Sequence, residues 1–173
     1  RFHLLGHSMG GMIVQTMASS NGSNIKKLIC HSTGPIGEMP ERFETIDQSR
    51  ENLKKNGLEN MTKNIVKFWF ISKNKSKHFK HCLKIANQTN LNAADSALIA
   101  MKKWNGVKNL EKINNETLII WGDKDKSYTF DQIKLLNEKI KKSKLIVIRD
   151  CAHNVHLESV KEFNRAIKEF LNN

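Results

Sequence analysis

Ser8 lies between two glycines in the run Gly6-His7-Ser8-Met9-Gly10, a match to G-x-S-x-G. The residue types suit attack on a carbonyl carbon. A serine raised on a sharp turn holds a strained backbone. Glycine two residues before and two residues after it avoids collision with the neighbouring strand and helix. A helix opening at this point aims its positive dipole end and its free first-turn N–H groups at a developing oxyanion. The Met9 N–H is the natural first donor of an oxyanion hole.

A serine hydroxyl is a weak nucleophile and needs a base, itself oriented by an acid. Where the serine tops a strand of a parallel sheet, the expected chain order is Ser, then Asp or Glu, then His, each after a strand. The segment "TLIIWGDKDKSY" (117–128) offers Asp123 and Asp125. Asp125 is the preferred acid, because a loop needs two or three residues to curl back over the strand end. Asp123 reads as a turn residue bonding its own backbone. The segment "LIVIRDCAHNVHLES" (145–159) offers His153 five residues past Ile148, and His156 beside it. His153 is preferred as the base because it lies nearer the strand end. His153-x-x-His156 lacks a third metal ligand at suitable spacing, and His78-x-x-His81-Cys82 reads as polar helix surface. No metal and no cofactor are expected.

The elements that must carry these residues are legible from periodicity. Residues 2–6 read as a strand and Met9 to about Ser20 as a helix, with Asn21-Gly22 as its stop. Further strands are expected at Ile25–His31, Thr117–Trp121 and Leu145–Ile148. A helix carries Ile133, Leu136 and Ile140 on one face. The closing helix carries Val160, Phe163, Ile167, Phe170 and Leu171, and Ser159-x-x-Glu162 fits a capping box at its start. Alternating strands and helices predict an α/β fold: a mainly parallel sheet with flanking helices. Residues 1–35 and 116–173 form the core. Residues 36–115 are lysine-rich and helical in period without a convincing strand, and read as an inserted helical cap.

Composition narrows the function classes. The chain has 173 residues, 39% hydrophobic and 27% charged, with a formal net charge of +12. Ten Lys or Arg lie between Arg50 and Lys84 against Glu51 and Glu59 alone. They read as solvated helix faces. No zinc-finger spacing, RNP-like segment or arginine-rich stripe points to nucleic acid, and no run is long enough for a membrane span. Cys30, Cys82 and Cys151 are widely spaced, as reduced thiols of a cytoplasmic protein would be.

On "LLGHSMGG" (4–11), "LIIWGDKD" (118–125) and "CAHNVHLE" (151–158), the sequence resembles the α/β-hydrolase superfamily. The resemblance spans the chain outside the middle insertion. It implies Ser8 as nucleophile, Asp125 as acid, His153 as base and the Met9 N–H as an oxyanion donor. The family's Gly-x-x-Asp pattern selects Asp125 over Asp123. The cap segments "NIVKFWFI" (64–71) and "AADSALIAMKKWN" (93–105) look similar to small-substrate members such as the 3-oxoadipate enol-lactonases, with carboxylesterases and C–C hydrolases as neighbours. Ser8 argues against the dehalogenases and epoxide hydrolases, which place aspartate there. The fold implied has more strands than the four this chain supplies. The chain therefore reads as the C-terminal portion of a longer protein, with residues 2–6 as an unpaired edge. The second oxyanion donor would lie upstream, and the fragment alone is expected to be nearly inactive.

The expected function is hydrolysis of a carboxylic ester or lactone of a small to medium substrate through an acyl-enzyme. Trp69, Phe70 and Trp104 are candidates to line a substrate pocket under the cap, against the alternative of cap-core packing. An acidic carrier protein is a candidate partner for the basic helices. Rival readings are acyl transfer or C–C bond hydrolysis on the same triad, and a binding or receptor protein that keeps the fold without turnover.

Overall fold

The computed structural model describes residues 1–39 and 41–172. Four strands, β1 (Phe2–His7), β2 (Ile25–His31), β3 (Glu116–Gly122) and β4 (Ser143–Ile148), form one sheet in the order β1-β2-β3-β4. Every neighbouring pair is parallel, so every connection crosses over and all C-terminal strand ends share one rim. β1 is an edge strand and exposes Phe2 and Leu5.

The inner strands are apolar on both faces, as strands covered by helices on both sides must be. Leu28, Cys30, Ile119 and Trp121 point to the face covered by α1 (Met9–Asn21), and they pack with Met12, Val14 and Ala18. On that same face, Ile133 and Leu136 come from the helix Phe130–Lys139. The alternate residues Ile29, Leu118 and Ile120 point to the opposite face. There they meet Phe163 and Ala166 of the closing helix Val160–Asn172. Successive strand side chains thus divide between two cores. Fully burying one such Leu or Ile contributes about 1.5–3 kcal/mol.

Between β2 and β3 lie α2 (Ile46–Lys67), α3 (Phe79–Ala86) and α4 (Leu91–Lys103). Gly57, at φ 79°, breaks α2 into two helical runs. These helices and one antiparallel bridge, Ile36 with Asn105, occupy the stretch expected to be a helical insertion. The amide of Gly37 donates to the Trp104 carbonyl at 3.0 Å and that of Gly106 to the Pro35 carbonyl at 2.9 Å, so the segment leaves and returns at one place. Two apolar clusters hold it together, one around Leu53, Met61 and Leu98 and one around Val66, Phe70 and Phe79.

The helix Phe130–Lys139 is α5, the short turn Val155–Glu158 is α6 and the closing helix is α7. At the start of α7 the sequence motif behaves differently from expectation. Ser159 Oγ donates to the Glu162 carboxylate at 3.2 Å. The reciprocal capping box is instead at α2, where Thr45 accepts from the Gln48 N–H and Gln48 accepts from the Thr45 N–H. Among the described residues no helix is long and apolar enough to cross a membrane.

Candidate active site

Ser8 stands where β1 turns into α1, at φ 55° and ψ −122°. That left-handed conformation costs a non-glycine residue on the order of 1–3 kcal/mol and persists only where the surroundings over-determine it. Three bonds hold it here. The Ser8 amide donates to the His31 carbonyl of β2 at 3.0 Å, and the Ser8 carbonyl accepts from the Gly11 amide at 2.9 Å. The Thr33 hydroxyl donates to that same carbonyl at 2.8 Å. Of the glycines about the serine, Gly6 fits its expected role, since a Cβ there would lie 2.3 Å from the Gly10 carbonyl oxygen. Gly10 does not, because a Cβ there meets no described atom within 4 Å. The tight position after the serine is Gly11, whose Cβ would lie 2.4 Å from Thr33. Met9 is the first residue of α1, so its N–H is too early in the helix for an intrahelical acceptor.

Asp125 follows β3. Its Oδ1 accepts from the Ser127 amide at 2.7 Å and its Oδ2 from His153 Nδ1 at 2.9 Å. The two side chains are 0% and 2% exposed. Asp123 does not bond its own backbone as expected of a turn residue; its carboxylate pairs with Lys124 at 2.9 Å on the half-exposed rim. Gly122 allows the loops carrying Asp125 and His153 to meet, because a Cβ there would lie 2.4 Å from the carbonyl oxygens of Cys151 and Ala152.

Asp125 and His153 are therefore in direct contact, and Ser8 stands on the same rim. Ser8 is joined to them through its neighbours. His7 Nε2 meets the His153 carbonyl at 3.1 Å, with the two rings 4.7 Å apart. The ring of Tyr128 lies parallel to that of His153 at 5.9 Å. Its fully buried hydroxyl faces Ser8 and Thr33 without closing a well-formed hydrogen bond. Burial pushes that phenol up to about 12.

Among the three aromatic candidates, Phe70 is 2% exposed and packs with Val66, Phe79 and Cys82. Its surface is taken up by the cap interior, which corrects its placement in a pocket wall. Trp69 is half-buried, its ring 6.3 Å from that of His153 and its carbonyl accepting from the Asn154 amide. Trp104 lines an apolar groove of about 320 Å³ between α1 and α4, together with Met9, Ile13 and Met101. Its indole N–H donates to Thr16 at 3.2 Å.

Four contributors have no motif of their own in the sequence: Thr33, Tyr128, Glu158 and the histidine pair His7 and His31. Glu158 accepts from the Ala152 amide at 2.7 Å and from the Ile71 amide at 2.8 Å, tying the His153 loop to the insertion. Ser8, Asp125 and His153 arranged in this way can do nucleophilic acyl chemistry. The Asp125 contact places the imidazole proton on Nδ1 and leaves Nε2 free as a base.

Comparison with known proteins supports the fold. A family model described as alpha/beta hydrolase fold matches residues 1–160. A curated relative, 2-hydroxy-6-oxononadienedioate/2-hydroxy-6-oxononatrienedioate hydrolase 1 of Pseudomonas putida, is 28% identical over 99% of this chain and 63% of its own length. The chain thus spans just under two thirds of that relative. Among solved structures, a bromoperoxidase from Bacillus anthracis superposes with a TM-score of 0.90 at 28% identity, covering 99% of this chain and 67% of its own. An esterase from Exiguobacterium antarcticum also superposes with a TM-score of 0.90, at 22% identity over 99% and 66%.

Proposed function

The chain belongs to the alpha/beta hydrolase fold family, and from that premise we propose that the intact protein is a serine hydrolase opening a carboxylic ester or lactone. The observation that supports this reading is the 2.9 Å contact between His153 Nδ1 and Asp125, sealed from solvent beside a serine held at φ 55°. The hydrolase name of the Pseudomonas putida relative is consistent with it.

In this mechanism Ser8 Oγ attacks the carbonyl carbon while its proton passes to His153 Nε2. Asp125 stabilises the imidazolium that forms. The oxyanion of the tetrahedral intermediate faces the Met9 N–H at the positive end of α1. Collapse breaks the acyl carbon–oxygen bond, and His153 gives its proton to the departing alcohol oxygen; in a lactone that oxygen stays tethered. Water then attacks the acyl-enzyme, its proton going to His153 and from there to Ser8 as the carboxylic acid leaves. A half-buried Trp69 beside His153 is the aromatic candidate best placed to touch substrate.

The test is labelling of the intact protein with a fluorophosphonate, read by intact mass, alongside p-nitrophenyl esters and small lactones. One adduct at Ser8, and turnover abolished in Ser8→Ala, is the expected result. An unlabelled Ser8 together with unchanged turnover in Ser8→Ala overturns the reading.

A further inference from the structure

Beneath the triad, three histidines from distant parts of the chain converge. His7 ends β1, His31 ends β2 and His156 sits in α6. Their rings lie 4.5 Å apart for His7 and His31, and 5.2 Å apart for each of these with His156. One ring nitrogen of each falls within 4.8 Å of the other two. From this juxtaposition we infer a binding site for one borderline divalent transition-metal ion, Zn²⁺ or Cu²⁺, held by His7, His31 and His156.

Two observations carry it. His31 Nε2 and His156 Nδ1 are buried and have no hydrogen-bond partner. His31 is 1% exposed, and a buried, unpaired ring nitrogen is unfavourable unless something shared occupies the space between. The tautomer of His7 is fixed by its neighbour. The His153 carbonyl only accepts, so Nε2 of His7 carries the proton at 3.1 Å and Nδ1 keeps its lone pair. A ligand histidine whose other nitrogen donates to a backbone carbonyl is the usual outer arrangement of a metal centre.

An all-imidazole set suits zinc and copper and not magnesium or calcium, which take oxygen ligands. With metal–nitrogen bonds of about 2.0–2.1 Å, tetrahedral ligand nitrogens stand about 3.4 Å apart. Loading therefore draws together ligand nitrogens that now lie within 4.8 Å of one another. His7 is shared between the cluster and the backbone of His153, so the ion would bear on the loop that carries the proposed base. The site itself does not depend on the hydrolase reading.

The test is titration of the intact protein with Co²⁺ as a spectroscopic stand-in for zinc, and with Zn²⁺ by calorimetry and thermal melts. The expected result is one equivalent bound, cobalt absorption bands of a tetrahedral nitrogen site, and a melting temperature that climbs with zinc concentration. His156→Asn and His31→Gln weaken binding by more than about tenfold, while His81→Gln and His3→Gln leave it intact. If the His31 variant does not fold, the cobalt spectrum of the wild type and the His156 variant still decide. Binding that survives in His156→Asn and disappears in His81→Gln assigns the metal to the His78-x-x-His81 pair and overturns the inference. So does the absence of binding at millimolar zinc. Because these readouts are spectroscopic and thermal, they stand or fall independently of ester turnover.

Discussion

The hydroxyl of Thr33 donates to the main-chain carbonyl of Ser8 at 2.8 Å, across 25 positions of sequence. It does so from a fully buried position, with its side chain closed against Gly11. The loop after β2 therefore holds in place the strained turn after β1.

Removing that hydroxyl while keeping the shape should release the turn. Thr33→Val leaves the Ser8 carbonyl with the Gly11 amide alone and is expected to cost about 1–2 kcal/mol in urea unfolding. Thr33→Ser keeps the donor and should retain most of the labelling rate at Ser8. Equal labelling rates in the Val and Ser variants would show that the turn does not need this brace.

Asp125→Asn preserves volume and the bond from the Ser127 amide but no longer selects the His153 tautomer. The expectation is an unchanged circular dichroism spectrum with kcat lowered by about 10³–10⁴-fold, the scale seen when a triad carboxylate becomes an amide. Asp123→Asn, which touches Lys124 at the rim, should change kcat by less than about threefold.

Tyr128 is the chain's single tyrosine, so absorbance at 295 nm reads its ionisation directly. Burial holds it at about 12, against about 10 when unfolded. The sign follows from linkage. The folded form keeps the proton more tightly, so this contribution is complete below pH 10 and is lost as pH rises from 10 through 12. Guanidinium melts at pH 9 and pH 11 should show the decline, and Tyr128→Phe should remove that part of it.

Glu158 receives one amide from the His153 loop and one from the insertion. Hydrogen bonds to a charged acceptor contribute about 1.5–3 kcal/mol. Glu158→Gln keeps one carbonyl acceptor and should lose about 1–2 kcal/mol; Glu158→Ala should lose more. Hydrogen exchange localises the effect, with faster exchange expected at Ala152 and Ile71 and none at the amides of β2.

The four strands, to within one or two residues at their ends, and the candidacy of Ser8, Asp125 and His153 were legible because each depends on local pattern: a two-residue period, a glycine at a turn, a charged residue just past an apolar run. What was not legible joins distant segments. His7 and His31 end the neighbouring strands β1 and β2, and His156 reaches them from α6, which follows β4. A search by spacing along the chain finds His153-x-x-His156 and His78-x-x-His81-Cys82, and neither contains His7 or His31. The glycine after the serine was misplaced by one turn-step for a related reason. Both Gly10 and Gly11 precede a helical run, and only the packing of Thr33 decides which of them has no room. Phe70 shows the limit of helical periodicity. It separates an apolar face from a polar one but cannot say whether that face looks into a cleft or into the neighbouring helix.

The bridge between Ile36 and Asn105 brings the two ends of the intervening 68 residues together like the clasp of a purse. Because the segment leaves and returns at one place between β2 and β3, its length can vary without shifting the register of any strand.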